Sequence, residues 1–149
     1  MAKQGKMFDI SKLKKAIEKK QATINRNSKK LKTAPKTISI GWFKQSGVYP
    51  EQGKRAVNYV AKIHEHGLGN HTEKGMIKNT VHLYRKEWVK EYRKLARKEI
   101  NKGKTPDYYS ISEKVGLMMK EDLRNYVYRI GLVDTSRLAN SILVKYKRR

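Results

Sequence analysis

The residues best able to do chemistry are three histidines and a glutamate that cluster within residues 64–71. Histidine nitrogens and carboxylate oxygens bind zinc, and a His-x-His pair can do so from a strand or a loop. His64, Glu65 and His66, however, end a segment with helical spacing, and side chains two positions apart on a helix point in different directions. The pattern therefore disfavours a metal site that includes His71 and favours histidines beside the carbonyl dipole of a helix end.

A short Gly-Lys-Thr sequence at residues 103–105 resembles the end of a phosphate-binding loop. That motif needs a glycine five residues before its second glycine, and this chain has Lys98 there. The motif also follows a strand, whereas the segment before Gly103 has helical spacing. We therefore reject a phosphate-binding loop.

Five further acids are scattered along the second half of the chain. None is spaced like an acid/base couple or a two-metal nuclease site, and no Gly-x-Ser-x-Gly occurs. They are Asp107, Glu113, Glu121, Asp122 and Asp134. We therefore expect no catalysis and no cofactor, with a small hydrolase or nuclease that uses His64 or Glu65 as the least favoured hypothesis.

Positive charge is the strongest global signal of the sequence. The 149 residues include 36 Lys and Arg against 13 Asp and Glu, which gives a net charge of +23. Such a charge repels itself unless a polyanion or an acidic partner compensates it. Nucleic acid is the first candidate, an acidic protein surface the second and an anionic membrane the third. Since no zinc-finger, RNA-binding or helix-turn-helix pattern is present, DNA contact would be independent of sequence.

The chain contains no cysteine, so disulfides and thiolate metal sites are excluded. No apolar run reaches the length of a membrane span, and we expect no membrane partner. Its length favours one domain over residues 1–149, composed of a basic arm at 1–35 and a body at 36–149. Only 38% of the residues are apolar, which favours either an extended shape or stability gained from neighbouring molecules.

The basic arm is predicted to form a helix over residues 9–27. Residues 1–36 hold twelve Lys and Arg against two acids, beside a thin apolar stripe. Two interpretations stay open, a solvated amphipathic helix or an arm that contacts DNA or an acidic neighbouring subunit. With two terminal arginines, the candidate contacts are Lys12, Lys14, Lys15, Lys19, Lys20, Lys29, Lys30, Arg148 and Arg149.

The body is predicted to be α+β, with a small antiparallel sheet packed against long amphipathic helices. Alternating apolar residues predict strands at 37–43 and 141–147. The residues expected to build the sheet core are Ile38, Ile40, Trp42, Ile142, Val144 and Tyr146. Between the strands, a loop from Gln45 to Gly53 leads into a helix that stops at Gly67.

Two longer helices follow in the body. The first spans residues 77–101 and carries an aromatic stripe, which we interpret as core rather than as a base-stacking platform. The second begins at a capping box from Ser110 to Glu113 and ends near Arg129. Asp134 or Thr135 is predicted to cap a short helical turn before the last strand, and replacing both by alanine should cost about 1–2 kcal/mol of stability.

Two stretches of the chain, taken together, resemble one protein family. The first contains Ile40-Gly41-Trp42, then Val48-Tyr49-Pro50 and Gly53, and ends in Val60-Ala61-Lys62-Ile63-His64-Glu65-His66-Gly67. The second is Leu132-Val133-Asp134-Thr135-Ser136-Arg137-Leu138-Ala139-Asn140-Ser141-Ile142. Their order is similar to that in the tail-completion, or neck, proteins of tailed bacteriophages. The resemblance covers about residues 36–147.

Some positions depart from the pattern of that family. His66 stands where the family commonly has Phe, and Ser136 stands where it has Gly. The stretch that follows the Glu-x-Gly motif is reduced to residues 72–78, and the segment before Asp134 is also shorter. These departures indicate a divergent branch with altered contacts at that loop.

The resemblance implies a non-enzymatic structural protein of the virion, present in the host cytoplasm during assembly. It would join the head to the tail in a ring around the DNA channel. The implied partners are further copies of the chain, head connector or adaptor proteins, the tail terminator or tube, and genomic double-stranded DNA. The loop residues Gln45, Val48, Tyr49 and Pro50 are the expected subunit contacts. The alternative is a free, non-specific nucleic-acid-binding protein.

Overall fold

Long helices and a few short strands make up the computed structural model, which describes residues 10–49, 55–132 and 135–147. The helices are α1 (Ile10–Thr33), α2 (Val57–His66), α3 (Met76–Asn101), α4 (Tyr108–Arg129) and α5 (Thr135–Asn140). The strands are β1 (Thr37–Gly41), β2 (Val48–Tyr49), β3 (Arg55–Ala56) and β4 (Leu143–Lys147), with a 3₁₀ turn at Lys44–Ser46. The predicted α+β class is confirmed. Within the described ranges, no helix is both long enough and apolar enough to span a bilayer.

The predicted sheet is formed by β1 and β4, which pair antiparallel. Ile38 lies opposite Tyr146 and Ile40 lies opposite Val144, so the alternating apolar residues of both strands share one face. Ile142 is fully buried, but it is not part of β4, which begins one residue later. A second small ladder pairs β2, inside the predicted loop from Gln45 to Gly53, with β3 at Arg55–Ala56, which was predicted to start the following helix.

Helix α4 supplies the centre of the core. Its Val115, Leu123 and Val127 are buried against residues of α3, α5 and the sheet. From α3, Trp88 is buried and its indole Nε1 donates a hydrogen bond of 2.6 Å to Asp122 Oδ2 on α4. The prediction that the aromatic stripe of α3 belongs to the core is therefore confirmed.

Gly116 allows α4 to approach the sheet closely. A Cβ atom at this position would lie 2.5 Å from the Tyr146 hydroxyl and 2.8 Å from Val144 Cγ1 on β4. Both distances are shorter than carbon atoms tolerate, so any larger side chain would push the helix and the strand apart. The close packing of α4 against β4 therefore explains why a glycine stands inside this helix.

Two predicted helix ends were wrong. Helix α1 continues to Thr33, because residues 28–33 contain no breaker and the restriction before Pro35 is the first stop. Helix α4 begins at Tyr108 rather than at the Ser110 capping box. Asp107 is its N-cap, and its Oδ1 accepts hydrogen bonds from the amides of Tyr109 at 3.1 Å and Ser110 at 3.2 Å. The earlier carboxylate already satisfies the first free amides, which leaves the serine inside the helix.

Candidate nucleic-acid interface

One side of α3 carries a dense array of cations, here called the α3 cationic face. These residues recur at spacings of three and four, which places them in adjacent rows on one side of a helix. All are exposed, and the aromatic stripe on the other side of α3 holds the helix against the core. The α3 cationic face consists of Arg85, Lys86, Lys90, Arg93, Lys94 and Arg97.

The long side chains of this face enclose a shallow groove of about 730 Å³ with Val89 among its lining residues. From Arg85 to Arg97 the helix rises roughly 18 Å, at 1.5 Å per residue. That length matches roughly five successive phosphates of one DNA strand. The groove therefore fits a linear polyanion better than a compact anion.

Few acids neutralise the α3 cationic face. Lys94 Nζ forms an ion pair of 3.0 Å with Glu91 one turn away. Among the described residues, the other five cations of the face are in no ion pair. Three of the cations are arginines, which stay charged at any physiological pH and can bind phosphate oxygens through two nitrogens. The face can therefore neutralise phosphates of an external strand.

Most of the predicted DNA-contact lysines lie on α1 and are exposed. Those whose side chains are described are Lys14, Lys15, Lys19, Lys20, Lys29 and Lys30. The side chain of Lys12 is not described, and Arg148 and Arg149 lie outside the described residues. Exposure alone does not decide whether these lysines contact DNA, so their role stays a prediction.

The α3 cationic face was missing from the residues predicted to contact DNA. The sequence did carry the signal, since residues 78–104 contain ten Lys and Arg against three Glu. The aromatic stripe drew the interpretation of α3 toward core packing. The opposite row at i, i+4 spacing, Arg85, Val89, Arg93 and Arg97, is the pattern that identifies the face.

The predicted subunit-contact loop is only partly exposed. Gln45 and Val48 are exposed, and Gln45 Oε1 accepts a hydrogen bond of 2.9 Å from Lys145 Nζ. Tyr49, however, is buried, so its prediction as a free contact residue is wrong. Successive residues of a strand face opposite sides, and β2 turns Tyr49 inward, where Arg137 lies 5.4 Å over its ring. Pro50 lies outside the described residues.

The two stretches that carry the family resemblance meet in space, at what we call the motif junction. Trp42 Nε1, at the end of the first strand, donates a hydrogen bond of 2.7 Å to the carbonyl oxygen of Leu138 on α5. Leu138 is itself fully buried. Residues 96 positions apart in sequence are thereby joined by one directed polar contact in the interior.

Glu65 fixes the start of α3 at the same junction. Helix α3 follows Gly75, whose left-handed backbone brings no capping side chain. The carboxylate of Glu65 supplies the missing acceptor, with hydrogen bonds of 2.9 Å from the Ile77 amide and 3.2 Å from the Lys78 amide. A negative charge also suits the positive end of a helix dipole. This role accounts for Glu65 without any catalytic function.

Gly67 ends α2 in the left-handed conformation, with its amide bonded to the Ile63 carbonyl. A Cβ atom there would lie 2.7 Å from the backbone nitrogen of Glu73. The glycine is required both by its backbone angles and by the close return of the loop. The predicted helix stop at Gly67, with His64 and His66 in the last turn, is confirmed.

His64 and His71 line a cleft of about 490 Å³ beside the motif junction. Their rings meet edge to face with centroids 5.3 Å apart. Burial, His71 and Lys74 together lower the pKa of His64 below its ordinary value of 6.5. In the part of the chain that the structure describes, no three His, Cys, Asp or Glu residues are arranged to hold a metal ion.

The proposed cap of the last helical turn falls at the edge of the described chain. Helix α5 begins at Thr135, whose side chain is not described, and Asp134 lies outside the described residues. The capping role therefore stays a prediction.

Comparison with known proteins gave no match. No protein-family model, no curated protein and no solved structure matches the chain. The resemblance to phage tail-completion proteins therefore depends on the motif residues alone.

Proposed function

We propose that this chain is a structural subunit of the neck of a tailed bacteriophage. It joins the DNA-filled head to the tail as part of a ring around the DNA channel. Its partners are copies of itself, the head connector or adaptor, the tail terminator or tube, and the genomic duplex. It acts in the virion, and in the host cytoplasm during assembly, without catalysis.

The observation that carries this proposal is the motif junction. The residues of the resemblance are used to position backbone elements, through the Trp42–Leu138 hydrogen bond and the Glu65 cap of α3. Residues that position backbone elements in this way are typical of a structural subunit, which has to keep a rigid shape. The exposed cations of α1 and α3 add surfaces that suit acidic ring partners or DNA.

The test is genetic and structural. Deleting the gene in the phage that carries it should leave filled heads that are not joined to tails, visible by electron microscopy. Wild-type protein supplied in trans should restore joined particles and should co-purify with them. Joined, infectious particles from the deletion strain would overturn the proposal.

A second function, non-specific binding of nucleic acid as a free protein, is favoured by the α3 cationic face. Neutralising roughly five phosphates predicts that log K falls with log salt at a slope of about −4.5. The triple variant Arg85→Gln, Lys90→Gln and Arg93→Gln should flatten that slope by about 3 units.

A matched control separates the α3 cationic face from net charge. Lys15→Gln, Lys19→Gln and Lys29→Gln remove the same charge from α1. Equal loss of duplex binding in both triple variants would show that only total charge matters. Duplex binding with unrelated sequences, together with normal virions after deletion, would favour this second function over the neck.

A further inference from the structure

The cleft of about 490 Å³ beside the motif junction is lined by basic groups from three different elements. Arg55 belongs to β3, His64 to α2, and His71 and Lys74 to the loop that joins α2 to α3. No acid is among the described residues that line the cleft. Its volume falls within the range of roughly 300–1,000 Å³ that is typical of small-molecule sites. The cleft therefore has the size and the charge of a site for a small anion.

The two acids nearest in sequence to these histidines have other partners. Glu65 caps the start of α3, and the Glu73 carboxylate lies 3.8 Å from Lys78 Nζ. Among the described residues, neither Arg55 nor Lys74 is in an ion pair. The two permanent cations of the cleft are therefore not neutralised by the described chain itself.

The loop that carries His71 and Lys74 is held against α2 by its backbone. The Lys74 amide donates a hydrogen bond of 2.7 Å to the His64 carbonyl oxygen, and the Gly75 amide donates one of 3.3 Å to the Glu65 carbonyl oxygen. The rings of His64 and His71 meet edge to face with their centroids 5.3 Å apart. The basic groups are thus brought together before any ligand arrives, which lowers the entropic cost of binding one.

The surroundings of His64 lack a compensating negative charge. Burial, His71 and Lys74 together lower the pKa of His64 below its ordinary value of 6.5. A neutral imidazole can donate one N–H to a ligand. Arg55 and Lys74 would repel a divalent metal ion, whereas a bound anion would offset the repulsion among the basic groups. The pair of histidines therefore suits an anion better than zinc.

The charge of the cleft distinguishes between kinds of anion. A phosphate monoester carries a charge of about −1.5 to −2 at neutral pH, which matches the two permanent charges of Arg55 and Lys74. A carboxylate or a phosphodiester of DNA carries only one negative charge. The arginine can also bind two phosphate oxygens at once. The cleft therefore favours a phosphate monoester.

The rest of the cleft suits the organic part of such an ester. An inorganic phosphate has no group that could contact apolar side chains, whereas an aliphatic or aromatic ester would cover them. The apolar residues that line the cleft include Tyr49, Ile63, Ile130, Leu132 and Leu138.

We propose that this cleft binds a small phosphate monoester. Arg55 and Lys74 compensate the charge of the phosphate, and the two imidazoles donate hydrogen bonds to its oxygens. The apolar lining contacts the ester group. The site is separate from the groove of the α3 cationic face, and it goes beyond the proposed neck function without depending on it.

The first test is calorimetry with phenyl phosphate as the probe. Phenyl phosphate should bind with a dissociation constant below about 1 mM, and about tenfold more tightly than inorganic phosphate or benzoate. Inorganic phosphate lacks the phenyl group, and benzoate lacks the second charge. No binding of phenyl phosphate, or an affinity equal to that of either control, would overturn the proposal.

Matched variants separate the cleft from net charge. Arg55→Gln with Lys74→Gln removes two charges from the cleft, and Arg85→Gln with Lys90→Gln removes two from the α3 cationic face. The first pair should weaken binding of phenyl phosphate by about tenfold or more, and the second by less than about twofold. The cleft variant should fold, because Arg55 is exposed and the loop contacts of Lys74 use its backbone. Equal weakening by the two pairs would refute a specific site.

The four histidines of the chain provide a test in the unaltered protein. By NMR, phenyl phosphate should shift the ring resonances of His64 and His71. It should not shift those of His66, which lines a separate cleft, or of His82, which is exposed on α3. The probe should also raise the pKa of His64, because the phosphate supplies an opposite charge. Similar shifts at all four rings would contradict the proposal.

Competition with duplex DNA separates this site from a nucleic-acid surface. Phenyl phosphate should stay bound when a duplex of unrelated sequence is added, and its displacement would assign the cleft to DNA binding instead. These measurements use purified protein and do not depend on a virion. Binding of phenyl phosphate together with normal virions after gene deletion would keep the site and remove the neck function. Unjoined heads without such binding would do the reverse.

Discussion

The motif junction and α1 use their residues in opposite ways. At the junction, Trp42 donates a hydrogen bond to the Leu138 carbonyl, and the Glu65 carboxylate accepts hydrogen bonds from two amides at the start of α3. On α1, from residue 14 to 31, nearly every described side chain is exposed, including its large aliphatic residues. The contacts of the first region are completed within one chain. The second region has the composition of a surface whose contacts are completed by other molecules.

The largest expected difference compares two large-to-small changes. Leu123→Ala removes a side chain that is fully buried in α4, and should lower the free energy of unfolding by about 3 kcal/mol. Ile24→Ala, at an exposed position of α1, should change it by less than about 0.5 kcal/mol in dilute solution. Chemical denaturation followed by circular dichroism measures both. A large loss for Ile24→Ala in the monomer would mean that α1 is already covered.

A smaller effect is expected from the cap of α3. Glu65→Ala removes the acceptor of two backbone amides and should cost about 1–2 kcal/mol. Glu87→Ala, at an exposed site on the same helix, should cost less than about 0.5 kcal/mol. Thermal unfolding of the two variants is the measurement, and similar losses would show that Glu65 does not cap the helix.

The start of α4 gives a third comparison. Asp107→Ala should cost about 1 kcal/mol, since the carboxylate accepts hydrogen bonds from two first-turn amides. Ser110→Ala, inside the helix, should be near neutral because alanine favours helices. Urea denaturation distinguishes them. A greater loss at Ser110 would restore the capping box that the sequence predicted.

The smallest expected effect is a dependence on pH near His64. Because burial, His71 and Lys74 lower the pKa of His64 in the folded chain, the unfolded chain binds its proton more readily. The free energy of unfolding should therefore fall as the pH drops below about 6.5, since stability rises with pH where the unfolded state holds more protons. His64→Gln should flatten that slope, and His82→Gln on the exposed side of α3 should leave it. An unchanged slope in His64→Gln would exclude this origin.

Periodic patterns predicted most of the fold. Alternation at Ile38 and Ile40 placed the first strand, and the partner strand near residues 141–147 was also recognised. The helix stop at Gly67 followed from one residue type, because glycine adopts the left-handed conformation cheaply. These signals are local, so a sequence displays them directly.

Other features depended on contacts between distant residues. The role of Glu65 could not be read from the sequence, because the amides it caps belong to a helix that starts eleven residues later. Tyr49 was assigned to a contact loop, but it is buried in the structure, where β2 pairs with β3. The sequence showed the excess of cations on α3. It did not show which side of the helix the core covers, and that side determines which cations are exposed.

The sequence by itself determined the charge, the class of fold and the position of the long helices. Net charge follows from the composition. The helix positions follow from the local spacing of apolar residues and from the residues that break helices. Only the tertiary structure decided that Trp42 reaches Leu138, that Gly116 admits β4 against α4, and that large aliphatic residues of α1 stay exposed. The physical reason is that burial and hydrogen bonding are properties of pairs of residues, and the partners here lie far apart along the chain.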